Sequence, residues 1–217
     1  MNVNLCFHGI GTIGREREAG ESQYWVNRDR FVDILDVVSN HPSVRLSFDD
    51  GNRSDVEIAL PALRERQLRA SFFALAGRLD DAASLSPHDL RELRSAGMAI
   101  GNHGWTHTPW RGLNAADARR ELVDARAALA EASRGAIDDA ALPLGRYDRQ
   151  LLHRLATVGY GKVYSSDRFP ARSSTWLQSR YSVTAADTAE SIRVLLTRPP
   201  GGAELRVLAS SVFKRLR

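Results

Sequence analysis

The chain has 217 residues, 43% hydrophobic and 26% charged, a balance that excludes wholesale disorder and leaves room for a sizeable core. Its net charge of +4 is spread along the sequence with no basic stripe and no interleaved aromatics, so nucleic acid is not an expected partner. The single cysteine, Cys6, excludes an internal disulfide.

The opening MNVNLCFHGIG has no positive segment and only a short apolar run, so it does not read as a signal peptide. No apolar stretch approaches the roughly 18 residues of a membrane span. A cytoplasmic protein without stable membrane insertion is expected, and residues 1–217 read as one domain.

Asn4–His8 reads as a first strand, followed by a Gly-rich loop. Phe31, Ile34, Leu35 and Val38 recur at helical spacing and predict a helix over Arg28–Ser39. Val44–Phe48 is a second strand that runs into Asp49-Asp50-Gly51, and Ser54–Arg66 is helical. Ala70–Leu75 is a third strand. Ser86 as N-cap and Pro87 at the first helical position open a helix that stops at Gly97. Met98–Gly101 is a fourth strand. Asn114 caps the longest helix, to about Ser133, with Gly135 as its terminator. Ala140–Leu144 is a fifth strand, and a helix from Asp148 to Val158 ends at Gly159. Lys162–Ser165 and Trp176–Val183 are two more strands. Thr188–Leu196 is a short helix. Arg198-Pro199-Pro200-Gly201-Gly202 then breaks the chain before a last helix, Ala203–Leu216. That helix carries Leu205, Leu208, Val212, Phe213 and Leu216 on one side, which predicts docking on the body of the protein. Strands alternating with helices imply parallel strands and right-handed crossovers. About seven such steps predict a closed or nearly closed barrel, with an open doubly wound sheet as the alternative.

Two strand ends carry groups suited to catalysis. After the second strand, Gly51 frees the backbone to turn, so that Asp49 and Asp50 can face one cleft, one holding a cation and the other serving as a base. Asp-Gly is also an ordinary turn signal. After the fourth strand, His103 and His107 have the spacing to chelate one metal ion, in a segment where Gly101, Gly104 and Pro109 favour a loop. Two imidazoles and a carboxylate suit Zn²⁺ first, with Co²⁺, Mn²⁺ or Ni²⁺ as alternatives, and leave positions open for water and substrate. In a barrel both strand ends lie on the face where active sites gather.

With these motifs the chain resembles the polysaccharide deacetylases with the NodB homology domain, carbohydrate esterase family 4. Their first motif, Thr-Phe-Asp-Asp-Gly, is similar to Ser47–Gly51, and their second, His-(Ser/Thr)-x-x-His, to His103–His107 with Gly104 at the hydroxyl position. The resemblance implies a distorted (β/α) barrel of about seven strands. It also implies Asp49 as catalytic base and Asp50, His103 and His107 as metal ligands. The substrate class it implies is an N-acetylated amino sugar or glycoconjugate. The third motif, Arg-x-Pro-x-Gly, reads Ala141-Leu142-Pro143-Leu144-Gly145, so the arginine that would position the base is missing. Arg146, Arg172 and Arg180 are the candidates to replace it. The fourth is echoed only by Asp167 and Trp176. The fifth, Leu-x-His, would supply the general acid near the C-terminus, yet no histidine follows Gly159. Leu5-Cys6-Phe7-His8 ends the first strand, which neighbours the last in a closed barrel. In some poly-N-acetylglucosamine deacetylases of this family the motif order is permuted and an N-terminal strand supplies the acid, so the resemblance implies His8 as the candidate acid; a histidine bonded to a local carbonyl is the plainer reading.

The other histidines, His41, His88 and His153, read as solvated. Trp105, Trp110, Tyr24 and Trp25 are either sugar platforms or core. Cys6 reads as a small buried hydrophobe. Three further readings stay open on the residues: hydrolysis of another C–N bond such as a cyclic ureide or imide, a non-catalytic carbohydrate-binding relative, and a protein-interaction module with a vestigial site.

Overall fold

The computed structural model describes residues 1–198 and 201–216, without the side chains of residues 203–205, 207 and 216. In chain order the strands are β1 (Val3–Phe7), β2 (Gly9–Ile10), β3 (Trp25–Val26), β4 (Val44–Asp49), β5 (Ala70–Ala74), β6 (Ala99–Asn102), β7 (Asp139–Ala141), β8 (Lys162–Ser165), β9 (Leu177–Ser179) and β10 (Tyr181–Ser182). The helices are α1 (Arg28–Ser39), α2 (Leu60–Glu65), α3 (Pro87–Ser95), α4 (Ala115–Arg119), α5 (Ala125–Ser133), α6 (Arg149–Val158), α7 (Ala189–Thr197) and α8 (Gly202–Leu216).

Eight strands form one parallel sheet in the order β10-β1-β4-β5-β6-β7-β8-β9. Its two edges are consecutive in sequence, separated only by Arg180. The sheet is thus a nearly closed (β/α) barrel whose seam is crossed by the chain itself. The Arg180 N–H donates to the Ser165 carbonyl on one side of the seam, and β10 pairs with β1 on the other. The uninterrupted strand expected over Trp176–Val183 is instead these two short strands in different places. An alternating pattern cannot distinguish one strand from two that meet across a seam. The count is eight rather than about seven for this reason. A small parallel pair, β2 with β3, was not anticipated.

Alternation along the strands separates two environments. Leu5, Phe7, Leu46, Phe48, Ala70 and Phe72 pack outward against Phe31, Ile34, Leu35, Leu63 and Leu90 in the main core. The phenyl rings of Phe48 and Phe72 stack at 4.7 Å there. A second cluster, with Leu122, Ala140, Leu151, Leu155 and Val163, lies under α6. The opposite faces point into the barrel and mix polar with aromatic side chains: Asn4 donates to Gln178 at 3.2 Å, and Phe73 packs on Tyr164 with ring centroids 5.0 Å apart.

Most helix ends follow local chemistry. Asn27, Ser86, Asn114, Asp148 and Thr188 each accept a backbone N–H as N-cap, and Gly159 ends α6 in the left-handed conformation. The α5 terminator is Arg134 (φ 54°) rather than the expected Gly135. Gly135 follows it and helps close the helix end, its N–H donating to the Ala130 carbonyl at 3.1 Å. Two π-turns interrupt otherwise α-helical runs, at Asp55–Ala59 and Arg120–Asp124. The fifth strand is shorter than Ala140–Leu144, because the chain turns at Pro143–Gly145.

The last helix, α8, lies against α6, with Ser211 donating to the Tyr147 hydroxyl oxygen at 3.1 Å and Lys214 paired to Asp167 at 2.7 Å. Among the described side chains, these polar contacts anchor it. Leu208 is half-buried, Val212 and Phe213 are exposed, and the Leu205 and Leu216 side chains lie outside the described residues, as does the Pro199-Pro200 break. No helix among the described residues is long and apolar enough to cross a membrane.

Gly101 on β6 lets the Phe73 ring sit in the barrel, since a Cβ would fall 2.3 Å from Phe73 Cδ1 and 3.1 Å from the Asp139 carbonyl. Gly101→Ala is expected to destabilise the fold by about 1–3 kcal/mol, read as a lower urea midpoint.

Candidate active site and metal centre

The C-terminal ends of β1, β4 and β6 open into a cleft of about 200 Å³ that is lined by His8, Asp49, Asp50, His103, His107 and Arg180 among others. All five residues singled out in the sequence therefore meet in one place.

Asp49, the last residue of β4, is 3% exposed, and Arg180 at the seam is 2% exposed. Their contact is bidentate, with Nη1 donating to Oδ1 and Nη2 to Oδ2, both at 2.7 Å, and Nη1 also reaching Ser47 Oγ at 3.1 Å. The guanidinium rests over Phe73 and Tyr164, 5.3 and 5.6 Å from the ring centroids. Of the three arginines considered for the missing motif, Arg146 and Arg172 are exposed, and Arg180 alone reaches Asp49. Burial by itself would raise the Asp49 pKa. The charges of Arg180 and His103 and the Arg180 hydrogen bonds outweigh it, and the carboxyl is held below its ordinary range.

Asp50 follows with φ 73°, a left-handed backbone that turns its side chain away from Asp49. Its Oδ1 lies 3.4 Å from His103 Nε2 and 3.3 Å from His107 Nε2. That oxygen is buried and has no hydrogen-bond partner. A tetrahedral ion with bonds of about 2.0–2.1 Å holds neighbouring ligand atoms about 3.3–3.4 Å apart. An orphaned carboxylate oxygen facing two imidazole nitrogens at this spacing fits a divalent ion.

Both imidazoles are oriented from behind. His103 Nδ1 meets the Ala141 carbonyl at 2.9 Å, and His107 Nδ1 meets Glu18 Oε1 at 2.5 Å. With the proton on Nδ1, each Nε2 offers a lone pair to the site. His107 also has a left-handed backbone, φ 59°. The loop that carries it is gathered by buried Glu121, which accepts from Trp105 N at 2.6 Å and from Thr106 Oγ1 at 2.7 Å. A Cβ at Gly104 would lie 2.4 Å from Glu121 Oε2, so this carboxylate takes the space a residue with a side chain would need.

His8 lies just past β1, half-buried, with its ring 4.9 Å from that of Tyr24 and its Nδ1 buried without a partner. Burial pushes its pKa down; Asp50 and Asp49 oppose this, and Arg180 and His103 add to it. Cys6, one turn of the pleat below, is fully buried, and burial pushes its thiol up, in keeping with a packing role.

Among the aromatics considered as platforms, Tyr24 lines the cleft, together with Leu142 and Leu144. Trp110 is buried, Trp105 covers Gly77, and Trp25 covers Gly9. The echo of the fourth motif is not a catalytic pair: Asp167 accepts from Tyr147 at 2.6 Å and from Lys214, while Trp176 donates to the Tyr160 carbonyl at 2.8 Å. His88 and His153 are exposed and His41 is half-buried, all outside the cleft. Sequence reasoning missed Glu18 and Glu121, and also Asp55, whose fully buried carboxyl has no partner and is pushed up by burial with Asp50 and Asp49 adding to the effect.

Comparison with known proteins bears on the same residues. The polysaccharide deacetylase family model matches residues 36–163, a segment that holds Asp49, Asp50, His103 and His107 but neither His8 nor Arg180. YxkH of Bacillus subtilis, named as a polysaccharide deacetylase, is 23% identical over 117 residues, 54% of this chain and 42% of that protein, so the chain spans less than half of this relative. The fold is similar to that of the Streptococcus pyogenes deacetylase PplD, with a TM-score of 0.77 at 18% identity, covering 91% of this chain and 98% of that one. It is also similar to IcaB from Ammonifex degensii, with a TM-score of 0.75 at 20% identity, covering 90% and 97%. The chain belongs to the polysaccharide deacetylase family.

Proposed function

We propose that this protein is a divalent-metal-dependent hydrolase that removes N-acetyl groups from an amino sugar, free or within a polysaccharide or glycoconjugate. The observation that carries the reading is the division of labour between adjacent carboxylates: Asp49 is locked onto Arg180, while Asp50 faces His103 and His107 with an oxygen left over. The acetate bound in the PplD structure is the product such a reaction releases.

Asp50, His103 and His107 hold the ion, Zn²⁺ first, with Co²⁺, Mn²⁺ or Ni²⁺ as alternatives. When bound, it supplies Lewis acidity for the acetamide carbonyl. Asp49 takes a proton from the attacking water; its low pKa keeps it ionised and ready, and Arg180 keeps it from turning toward the ion. The Leu144 N–H, in the turn at Pro143–Gly145 that borders the cleft, steadies the developing oxyanion; the Gly145 N–H is already given to the Leu142 carbonyl at 3.0 Å. His8 hands a proton to the leaving amine. The C–N bond breaks, and acetate and a free amino sugar leave. Tyr24 and Leu144 form walls against which one sugar ring and its acetyl methyl pack.

The direct test is acetate release over a panel of N-acetylated sugars, with chelator and metal add-back. Activity abolished by chelator and restored by Zn²⁺ is expected; chelator-insensitive turnover would remove the metal from the mechanism. Asp50→Asn is expected to lose metal affinity and Asp49→Asn to keep it while losing turnover; the opposite pattern would exchange the two roles. His8→Ala is expected to lower kcat by about 10²–10⁴-fold with zinc affinity unchanged. Full turnover by that variant would exclude His8 as the acid.

Arg180→Gln leaves Asp49 buried without its counter-charge and is expected to cost about 3–5 kcal/mol near neutrality. Because the folded pKa of Asp49 is depressed, the stability it contributes is present above its unfolded value and is lost as pH falls through the folded one. With chelator present, the gap between wild type and variant, followed by urea unfolding, should therefore start to narrow above the ordinary Asp value, where the buried Asp49 of the variant takes up its proton, and go on narrowing below about pH 4.

A further inference from the structure

We propose that Glu18 is a positioning residue for the metal centre, and that ion binding and closure of the loop carrying it are coupled. The proposal rests on the metal-dependent reading above and extends it to a segment outside the family match.

The two imidazoles are not held alike. His103 leans on a carbonyl of β7, a strand of the barrel, and it is 2% exposed. His107 sits in a loop with left-handed backbone, and its Nδ1 bonds to Glu18, a residue 89 positions away in sequence. Glu18 Oε1 also accepts from Arg78 Nη2 at 3.0 Å, so the carboxylate is clamped between the ligand imidazole and a cation in the 3₁₀ turn Ala76–Arg78 that follows β5. A carboxylate behind a ligating imidazole fixes its tautomer, aims its Nε2 and makes it a stronger donor. Here Nε2 points at the orphaned Asp50 oxygen.

The segment around Glu18 has the build of a movable flap. Between β2 and the 3₁₀ turn at Glu21–Tyr24 it contains no helix or strand. Gly11 and Gly20, both at positive φ, bracket it. Within it, Arg17 donates to the Ala83 carbonyl at 2.9 Å, and its own N–H is taken by Glu21 at 2.6 Å. Glu18, Ala19, Gly20 and Glu21 form one wall of the cleft, next to Tyr24 and His8. Through Glu18 the wall touches a metal ligand directly. By linkage, whatever Glu18 adds to ion affinity the ion adds to the closed loop.

The test measures zinc affinity of the full chain by chelator competition for wild type, Glu18→Gln and Glu18→Ala, and hydrogen exchange over residues 11–24 with and without Zn²⁺. Glu18→Ala is expected to bind zinc about 10–100-fold more weakly. Glu18→Gln should fall between, because its amide oxygen still accepts the His107 N–H but carries no charge. Zinc should slow exchange over 11–24 in wild type and leave it unchanged in Glu18→Ala. Wild-type zinc affinity in Glu18→Ala, or exchange over 11–24 indifferent to zinc in wild type, would overturn this proposal alone. Failure of the wild type to bind zinc would overturn the metal-dependent reading as well.

Discussion

A buried bidentate pair, Arg180 with Asp49, is the constraint around which the barrel is organised. Removing two charges from water is costly, and the cost is met only where geometry and extra hydrogen bonds are good. The geometry is good, with two contacts of 2.7 Å, a third to Ser47 and two aromatic rings beneath the guanidinium, while Nε is buried without a partner. The pair also explains the seam. Arg180 points inward from the residue where the chain leaves β9 for β10, so closing the barrel and neutralising Asp49 are one event.

The second organising feature is backbone strain concentrated at the cleft. Of the non-glycine residues with positive φ, Asp50, His107 and Leu144 all line it. Each costs energy that neighbouring structure must offset, and such residues persist where the aim of a side chain matters. Asp50 needs the turn to diverge from Asp49. His107 needs it to come back toward Asp50, and Glu121 holds the intervening loop from the π-turn between α4 and α5. That π-turn sets buried Glu121 beneath the loop, which fits the known concentration of π-bulges at functional sites.

Much of this was legible from sequence because it is local. Asp49, Asp50, His103 and His107 stand at strand ends, next to glycines, in short motifs, and the β–α alternation identified the barrel. Helix boundaries set by caps, such as Arg28–Ser39 and the helix ended by Gly159, were readable for the same reason. What was not legible is what depends on distant partners. Arg180 looked like any of three arginines, because its selection is made by closure across the sheet. Glu18 and Glu121 looked like ordinary surface charges, because nothing near them in sequence demands a carboxylate. Trp176–Val183 read as one strand, since alternation carries no information about where a barrel is cut. Gly135 read as the helix terminator; it does bond back to the helix, but the left-handed residue is Arg134, one position earlier.

The seam also has a consequence for the order in which the molecule is made. Asp49 leaves the ribosome 131 residues ahead of Arg180. For most of synthesis the first strands carry a carboxylate whose counter-charge does not yet exist, and water must solvate it. The nascent β-sheet therefore has reason to stay open at its edge until the final stretch emerges. A chain stopped short of Arg180 would keep every candidate metal ligand and yet lack the charge that lets the barrel shut.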